Sequence, residues 1–338
     1  MQRGAIMVRY VIKRVLLGIV ILFGVSLIIY ALAMLMPADY IDTQTAAAVQ
    51  NGAMKPDEVI RLKELYGLAD KSFLGILKGY GKWLAGAFTG DLGFSFLYGK
   101  PVTAVISEYV WISFLLAFIS YIFEILIAIP LGIKAAVKQY SAYDYTATVL
   151  AMAGISLPSF FLSALVLNVF SIKLGWFPLQ GLTTATKIFG EGQVFALFLD
   201  KAWHLVLPLF VSVILGIGSL MRYTRTNLLE VLNSDYIRTA RAKGLDEHTV
   251  IYKHAFRNTL IPLVTTIGGM IPSLFGGMMI LETVFAIPGI GYMAYRATVA
   301  GDIPFIMRDN MFLSILSVLG ILLSDLLYVV VDPRVKLK

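Results

Sequence analysis

The chain has 338 residues, of which 58% are hydrophobic and only 14% are charged, and its mean hydropathy is +0.80. This balance excludes an ordinary water-soluble globular protein and predicts that most of the chain lies in lipid. Cysteine is absent and the three histidines, His204, His248 and His254, are scattered, so we expect neither a disulfide framework nor a metal centre. In so apolar a chain, the net charge of +7 indicates basic loops at a membrane rather than a nucleic-acid-binding surface.

Six apolar runs are long enough to cross a bilayer as helices, since the hydrocarbon core requires about 20 apolar residues per helix. They are Val15–Met36, Val110–Ile133, Ala147–Ile172, Leu205–Met221, Thr259–Phe285 and Met311–Val331. Only Glu124, Glu282 and Asp325 place a charge inside these runs. We therefore predict an all-α integral membrane protein with six transmembrane helices.

The first run has a second interpretation, because it resembles a cleavable signal peptide. Arg3, Arg9, Lys13 and Arg14 precede it, and Ala31-Leu32-Ala33 is similar to a cleavage site. Its 22 apolar residues exceed the apolar region of about 7–15 residues found in signal peptides. The length favours a retained membrane anchor.

The distribution of Lys and Arg predicts the side of the membrane on which each loop lies. With the N-terminus inside, residues 1–14, 134–146, 222–258 and 332–338 are cytoplasmic and carry 16 basic residues in 71 positions. The segments 37–109, 173–204 and 286–310 are then external and carry 12 in 130 positions. Because basic residues are enriched in cytoplasmic loops, we expect both termini in the cytoplasm.

The first external segment is too long for a turn, and we expect two helices within it. Pro56 at a first helical position, Asp57 and Glu58 in the first turn and Gly67 at the end predict a short helix. Its apolar face comprises Val59, Leu62, Leu65 and Tyr66. A second amphipathic stretch, Phe73 to Phe88, is expected on the outer membrane surface, over the pore or packed over the helix ends.

The loop 222–258 predicts two helices separated by a glycine turn. Asn227 and Glu230 form a capping-box pattern, and good helix formers continue from Leu228 to Lys243 before Gly244 ends the helix. Asp246 begins a second helix, which extends to about Arg257. The loop has a charge of +3, which solvated helices on the cytoplasmic side of any membrane protein also carry. Charge alone therefore assigns no function to it.

Two segments of this loop carry a family resemblance. Residues 235–245 have the sequence DYIRTARAKGL, and residues 254–258 have the sequence HAFRN, followed by Leu260-Ile261-Pro262. Together they resemble the cytoplasmic coupling loop of binding-protein-dependent ABC importers, specifically of the dipeptide and oligopeptide permease family. Arg238-Thr239-Ala240 stands at the EAA positions of the general importer pattern and Gly244 at its glycine. His254-Ala255-Phe256-Arg257 departs from the general I-x-L-P ending but is similar to the peptide subgroup.

Further segments resemble the same family along nearly the whole chain. They are Gly90–Gly93 with Pro101-Val102, Ser156–Phe161, Leu174–Pro178, Glu282–Gly291, Asp325–Tyr328 and Asp332–Arg334. Two features depart from it. Glu124 stands where the family usually has an aliphatic residue, and residues 39–54 look like added length in the external segment.

The resemblance implies a type I ABC importer permease fold in the inner membrane of a prokaryote. It implies a first transmembrane helix within residues 1–36, an external segment at 37–101, a permease core at 102–331 with coupling loop 222–258, and a cytoplasmic tail at 332–338. The implied partners are a second homologous permease, two ABC ATPase subunits and an extracytoplasmic substrate-binding protein. The implied cargo is peptide, with nickel, opines, glutathione and oligosaccharides as alternatives within the family.

This chain is not expected to be an enzyme or to bind a cofactor. A G-x-x-x-x-G-K-[ST] phosphate loop is absent, because Gly81-Lys82-Trp83 lacks both the leading glycine and the hydroxyl. ATP and Mg²⁺ are therefore expected on the partner ATPases. Paired catalytic carboxylates, an H-E-x-x-H helix and a soluble catalytic domain are absent as well, so a membrane enzyme or sensor is not supported.

The resemblance implies a set of residues that contact the ATPase. Tyr236 is expected to supply buried area with a polar tip, Arg238 to pair with a carboxylate, and Ala240 to permit close approach. Gly244 allows the sharp turn that presents the helix. The remaining members of the predicted coupling surface are Glu230, Asp235, His254 and Arg257.

Five residues are candidates for lining the translocation pathway: Glu124, Ser156, Pro158, Asn168 and Glu282. Charged residues inside spans also suit an ion-coupled secondary transporter, in which Glu124, Glu282 and Asp325 would form a cation or proton path. Glu282 and Asp325 lie near span ends, which favours a structural role. Glu124 lies near the middle of its run, where a partner inside the bundle, a water-filled cavity or substrate contact is expected.

Overall fold

The computed structural model describes residues 2–65, 68–90, 93–190, 192–260, 263 and 270–331. Its N-terminal part contains helix α1 (Gln2–Met34), the shorter helices α2 (Tyr40–Gln50), α3 (Pro56–Leu65) and α4 (Phe73–Phe88), and a short antiparallel pair, β1 (Phe94–Ser95) with β2 (Lys100–Pro101). The next helices are α5 (Val102–Val137), α6 (Ala142–Ser156), α7 (Ser159–Val166, continued as a π-helix over Leu167–Lys173) and α8 (Val194–Leu232). The last are α9 (Asp235–Ala242), α10 (a π-helix, Thr249–Phe256), α11 (Ile271–Phe275), α12 (Met279–Val284), α13 (Ile290–Ala300) and α14 (Ile303–Val331).

Most of the predicted spans are present as helices. Within the described residues, four segments are long and apolar enough to cross a membrane: Arg9–Met34, Val102–Val137, Val194–Leu232 and Ile303–Leu323. A fifth is formed if α6 and α7 with its continuation count as one bent span. The predicted span Thr259–Phe285 lies partly outside the described residues, so the number six stays a prediction. Large apolar side chains on these helices are exposed, as expected where lipid is the solvent.

The predicted span Ala147–Ile172 is not one straight helix, because the chain bends there by 100° between α6 and α7. Leu157 and Pro158 lie at the break, and both are extended, with ψ angles of 127° and 134°. Proline has no amide hydrogen to donate, and it disfavours the helical conformation of the residue before it. The two halves therefore meet at an angle instead of forming one straight helix.

The predicted helix start at Asn227 is also wrong. Helix α8 continues through this position to Leu232, and the Asn227 side chain donates to the carbonyl of Tyr223 at 2.8 Å. A capping box forms only where the backbone is not already helical, and here the upstream helix supplies the backbone partners. The separate helix of the loop begins at Asp235, after a break at Asn233 and Ser234.

The two helices predicted within residues 37–109 are present. α3 begins at Pro56, although its predicted end at Gly67 lies outside the described residues, and α4 covers Phe73–Phe88 as expected. Tyr80 of α4 is buried, and its hydroxyl lies 2.8 Å from the hydroxyl of Ser26 on α1. Helix α4 therefore packs on the first span, while Phe88 and its other exposed apolar residues face outward.

The added length at residues 39–54 forms helix α2, which an ion pair attaches to α3. Lys63 of α3 lies 3.1 Å from Asp39 and 2.6 Å from Asp42. Partial burial favours a higher pKa for Asp42, but the hydrogen bond and charge of Lys63 outweigh it and lower that pKa. The carboxylate is therefore ionised at neutral pH and holds α2 and α3 together.

The core of the fold is the long contact between α5 and α8. Small residues permit the two backbones to approach closely: a Cβ added at Gly132 would lie 2.7 Å from the carbonyl oxygen of Met221. Close approach through small residues is the usual way in which helices associate where lipid supplies no hydrophobic driving force. This pair positions the loop that follows α8.

Candidate functional site

The candidate site begins at α9, a helix with one buried and one exposed face. Ile237 is 0% exposed and Ala240 is 7% exposed. They pack in a cluster that joins α9 to the ends of α5 and α8 and to α10. The cluster comprises Ile133, Ala136, Leu228, Ile237, Ala240, Val250, Ile251 and Ala255. Helix α9 is thus firmly attached to the membrane helices by its inner face.

Ala240 faces inward, and its predicted role in permitting close approach of a partner stays a prediction. Its methyl group points into the cluster and is inaccessible from outside the chain. Helical spacing places Ile237 and Ala240 on the same face, three residues apart, so they are buried together. Ala240 therefore fixes α9 on the membrane domain.

The other face of α9 is open. Tyr236 is 47% exposed, and the side chains of Arg238 and Asp235 are 73% and 99% exposed. Arg238 Nη1 lies 3.6 Å from a carboxylate oxygen of Asp235, a weak surface pair that leaves the guanidinium available to a partner. Glu230 and Arg257 are also exposed, and His254 is half-buried. These residues retain the accessibility that a docking surface requires.

The turn after α9 has the predicted glycine. Gly244 has a φ angle of +78°, a left-handed conformation that glycine adopts without a steric penalty. Asp246 then caps the next helix, since its side chain accepts a hydrogen bond from the amide of Thr249 at 2.9 Å. Both predictions are confirmed in position, although α10 has π-helical geometry.

A two-pronged ion pair closes this turn. Arg241 donates through Nη2 and Nε to the carboxylate of Glu247, at 2.6 and 3.2 Å. The hydrogen bond from Arg241 lowers the pKa of Glu247, so the carboxylate is ionised at neutral pH. The pair fixes the orientation of α10 relative to α9.

The two motif segments, which are separated in sequence, meet in space. The side-chain amide of Asn258 donates to the hydroxyl of Tyr236 at 3.1 Å and to the carbonyl of His254 at 2.9 Å. Asn258 belongs to the HAFRN segment and Tyr236 to the segment 235–245. The motif therefore describes one folded surface.

An ion pair that the sequence did not predict links this region to α6. Arg225 of α8 donates through Nε and Nη2 to the carboxylate of Asp144, at 2.6 and 2.7 Å, and Asp144 is only 2% exposed. The sequence signal was Ser141, whose hydroxyl caps α6 by accepting from the amide of Asp144 at 3.3 Å. That pattern locates a helix start but not the arginine 81 residues away.

A second unpredicted cluster attaches the loop before α8 to that helix. Asp200 accepts hydrogen bonds from the amide and hydroxyl of Thr184, both at 2.7 Å, and from Lys187 at 3.1 Å. His204, one turn further on, contacts the carbonyl of Gly181 through Nδ1 at 2.9 Å. His204 is therefore held in a structural network.

Glu282 is enclosed by this chain and holds a loop in place, and its role as a pathway-lining residue stays a prediction. It is 0% exposed. Its carboxylate accepts from the hydroxyl of Ser113 at 2.6 Å and from the amides of Met278 and Tyr292, both at 2.9 Å. Ser113 in turn accepts from the amide of Ile290 at 2.8 Å. The carboxylate thus holds the segment between α12 and α13 against α5.

Glu124 lies in the contact between α5 and α8 and is only 5% exposed. Its carboxylate occupies the space left by Gly216, where an added Cβ would lie 2.3 Å from the carboxylate. Among the residues that the structure describes, none forms a hydrogen bond or ion pair with it. The side chain of Asp325, the third predicted intramembrane charge, lies outside the described side chains.

The remaining pathway candidates lie on the bent helix pair. Ser156, Pro158 and Asn168 are exposed, and the Ser156 hydroxyl donates to the carbonyl of Met152 at 2.8 Å. A half-helix junction with exposed polar groups is the type of irregular backbone that is found where a membrane protein lines a cavity.

In the described part of the chain, no group of three or more His, Cys, Asp or Glu side chains is placed to hold a metal ion.

Comparisons with known proteins identify relatives along nearly the whole chain. The model of the family described as binding-protein-dependent transport system inner membrane component matches residues 128–337. The oligopeptide transport system permease protein AppB of Bacillus subtilis is 36% identical over 98% of this chain and 100% of its own length. A putative peptide transport system permease protein of Brucella abortus is 35% identical, over 98% of this chain and 99% of the relative. The dipeptide transport system permease protein DppB of Alkalihalophilus pseudofirmus is 33% identical, over 98% and 100%.

A solved structure has the same fold. It is an inward-facing conformation of the MetNI methionine ABC transporter, with a TM-score of 0.53 and 20% sequence identity. The similarity covers 69% of this chain and 98% of the other. At this identity the likeness concerns the fold alone.

Proposed function

Because this chain belongs to the family of binding-protein-dependent transport system inner membrane components, we propose that it is the permease subunit of an ATP-driven importer of oligopeptides or dipeptides. The cargo follows from the names of the relatives, which specify oligopeptide and dipeptide transport. An extracytoplasmic binding protein delivers the peptide. The peptide then passes between this chain and a second, homologous permease.

The observation that supports this function best is the two-faced helix α9. Its inner face is buried with the ends of α5 and α8, and its outer face presents Tyr236 and Arg238. A helix anchored on one side and charged on the other suits a docking surface that receives movement from a partner. The partner is an ABC ATPase subunit, which binds the ATP and Mg²⁺ for which this chain has no phosphate loop.

Movement of α9 would reach three membrane helices. Ile237 and Ala240 contact the ends of α5 and α8 through the shared buried cluster, and the ion pair of Arg225 with Asp144 adds α6. Packed interfaces move as rigid units rather than deform continuously, because their side chains fill space as in a crystal. Closure of the two ATPase subunits would therefore tilt these helices together.

The same proposal sets the orientation of the chain in the inner membrane. The ATPases are cytoplasmic, so the loop 222–258 and both termini are cytoplasmic, as the excess of Lys and Arg favours. Helices α2, α3 and α4 then lie on the opposite side, where the binding protein docks.

Ser156, Pro158 and Asn168 remain the proposed pathway residues. They are exposed at the bend between α6 and α7 and along its continuation. Glu282 stays a predicted member of this set, although its carboxylate is fully enclosed by this chain. Because of this enclosure, an ion path that uses Glu282 loses support.

Reversal of the charge at Arg238 tests the docking surface. Arg238→Glu is expected to leave insertion and folding unchanged, because the side chain is 73% exposed, and to reduce ATP-dependent peptide uptake at least about tenfold. The measurement is uptake of a labelled peptide into proteoliposomes that contain the complete transporter, together with the ATP hydrolysis rate. Lys138→Glu is the matched control, since Lys138 is an exposed cation outside the loop 222–258 and outside the segment on which the binding protein docks.

Normal uptake by the Arg238→Glu transporter would show that α9 does not dock through this side chain. Uptake that persists without ATP and stops when ion gradients are dissipated would instead identify a secondary transporter. The two results are distinguishable, because the first concerns one contact and the second concerns the energy source.

A further inference from the structure

A cleft of ≈ 300 Å³ lies between α6 and α8, beside the point where Ala151 packs on Gly218. Its floor is apolar, and its rim carries two guanidinium groups, from Arg222 and Arg225. The threonines Thr148 and Thr226 add hydroxyl groups to the rim. The cleft thus combines a polar, cationic end with an apolar end.

The charges at the rim do not balance. Arg225 is paired with Asp144 through Nε and Nη2, which leaves the protons on Nη1 outside that pair. Arg222 is exposed, and none of the residues in the described part of the chain forms a hydrogen bond or ion pair with it. Two guanidinium groups therefore face one carboxylate, and the cleft carries a net positive charge that suits an anion.

The position of the cleft along the helices identifies the kind of anion. Arg222 directly follows Met221, the last residue of an apolar run, and Asp144 lies just before the run that begins at Ala147. The cationic rim is therefore at the membrane boundary, on the side of the loop that contains α9. Met152 and Ile155 line the same cleft further into the membrane, and they are 48% and 44% exposed.

We propose that this cleft binds an anionic phospholipid, with its phosphate on Arg222 and Arg225 and an acyl chain along Met152 and Ile155. A guanidinium provides a forked donor that matches phosphate oxygens. A basic residue at this depth attracts anionic headgroups, and exposed apolar side chains directly below it accept an acyl chain. A free anion would use only the rim and would leave the apolar side chains uncovered.

A bound lipid at this place would stabilise the attachment of α6 to α8. Its phosphate would share Arg225 with Asp144, the buried carboxylate that links the two helices. This inference concerns lipid binding and does not depend on the identity of the transported substrate.

Native mass spectrometry tests the proposal. The full chain, together with the subunits that purify with it, is released from nanodiscs in the mass spectrometer. The nanodiscs contain phosphatidylcholine and phosphatidylglycerol in equal amounts. The wild-type protein is expected to retain phosphatidylglycerol preferentially. Arg222→Gln is expected to reduce that preference about fivefold, the factor that one basic residue near an anionic surface contributes.

Lys138→Gln is the matched control, because Lys138 is an exposed cation on the same side of the membrane but outside the cleft. It is expected to retain the wild-type preference, and melting curves must show that both variants are folded. Equal retention by wild type and Arg222→Gln would overturn the proposal. Displacement of the lipid by a short peptide would also overturn it and would assign the cleft to substrate. A wild-type complex without bound lipid would overturn it too and would indicate that a second permease covers the cleft.

Discussion

Glu282 and Glu124 are both buried carboxylates in membrane helices, yet their surroundings are opposite. Glu282 receives three hydrogen bonds, from the hydroxyl of Ser113 and from the amides of Met278 and Tyr292. Glu124 lies against Gly216 without a hydrogen bond or ion pair from the described residues. The first is a structural acceptor that organises a loop, and the second, among the described residues, is held only by packing.

This difference shows that depth in a span does not define the role of a carboxylate. Both residues interrupt apolar runs, and a charge inside a span is by default a functional candidate. The two residues differ in the number of hydrogen-bond donors that lie next to each carboxylate. This number matters because burial of a polar group is costly unless its hydrogen bonds are made.

Glu282→Ala is expected to have the largest effect. It would leave the Ser113 hydroxyl and two amides without their acceptor, and each buried donor that loses its acceptor costs about 1–3 kcal/mol. The folded protein should lose at least about 3 kcal/mol of stability, measured as thermal melting of the purified chain in detergent. Glu282→Gln keeps one acceptor oxygen and should lose less. Equal melting of wild type and Glu282→Ala would remove the structural role.

Gly216→Ala is expected to have an intermediate effect. The added Cβ would lie 2.3 Å from the Glu124 carboxylate, which must shift. Because this carboxylate is the end of a flexible side chain, the loss is expected near the lower end of the about 1–3 kcal/mol that overpacking costs. The double variant Glu124→Ala with Gly216→Ala should recover most of the loss, as a double-mutant cycle of the melting curves would show. Gly24→Ala is the matched control, since a Cβ there meets nothing within 4 Å. Independent, additive effects at the two sites would contradict the contact.

Glu124→Leu is expected to have the smallest effect. Because none of the described residues bonds to the Glu124 carboxylate, an apolar side chain of similar size should change the free energy of unfolding by no more than about 1 kcal/mol or increase it. Glu124→Gln should retain wild-type peptide uptake, because the enclosed carboxylate is not accessible to substrate in this structure. A well-folded Glu124→Gln protein without uptake would show that transport requires the charge.

The sequence was a good guide to elements governed by local chemistry. Pro56 and the acids after it located the start of α3, Gly244 located the left-handed turn, and Asp246 located a helix cap. It was a poor guide where distant residues compete. Asn227 had the pattern of a helix start, but α8 arrives there already helical, and Ala240 had the motif position of a contact but faces the cluster.

The membrane class, the apolar helices, the family and the exposed motif on α9 were determined by the sequence itself. Composition, run length and short motifs are properties of neighbouring residues, and they need no partner to be recognised. The angle of the bend between α6 and α7, the pair of Arg225 with Asp144 and the surroundings of Glu282 and Glu124 were decided only by the tertiary structure. The pair and the surroundings of the carboxylates depend on groups far apart in the chain, and the bend angle depends on how the two half-helices pack. No local pattern specifies which distant groups will meet.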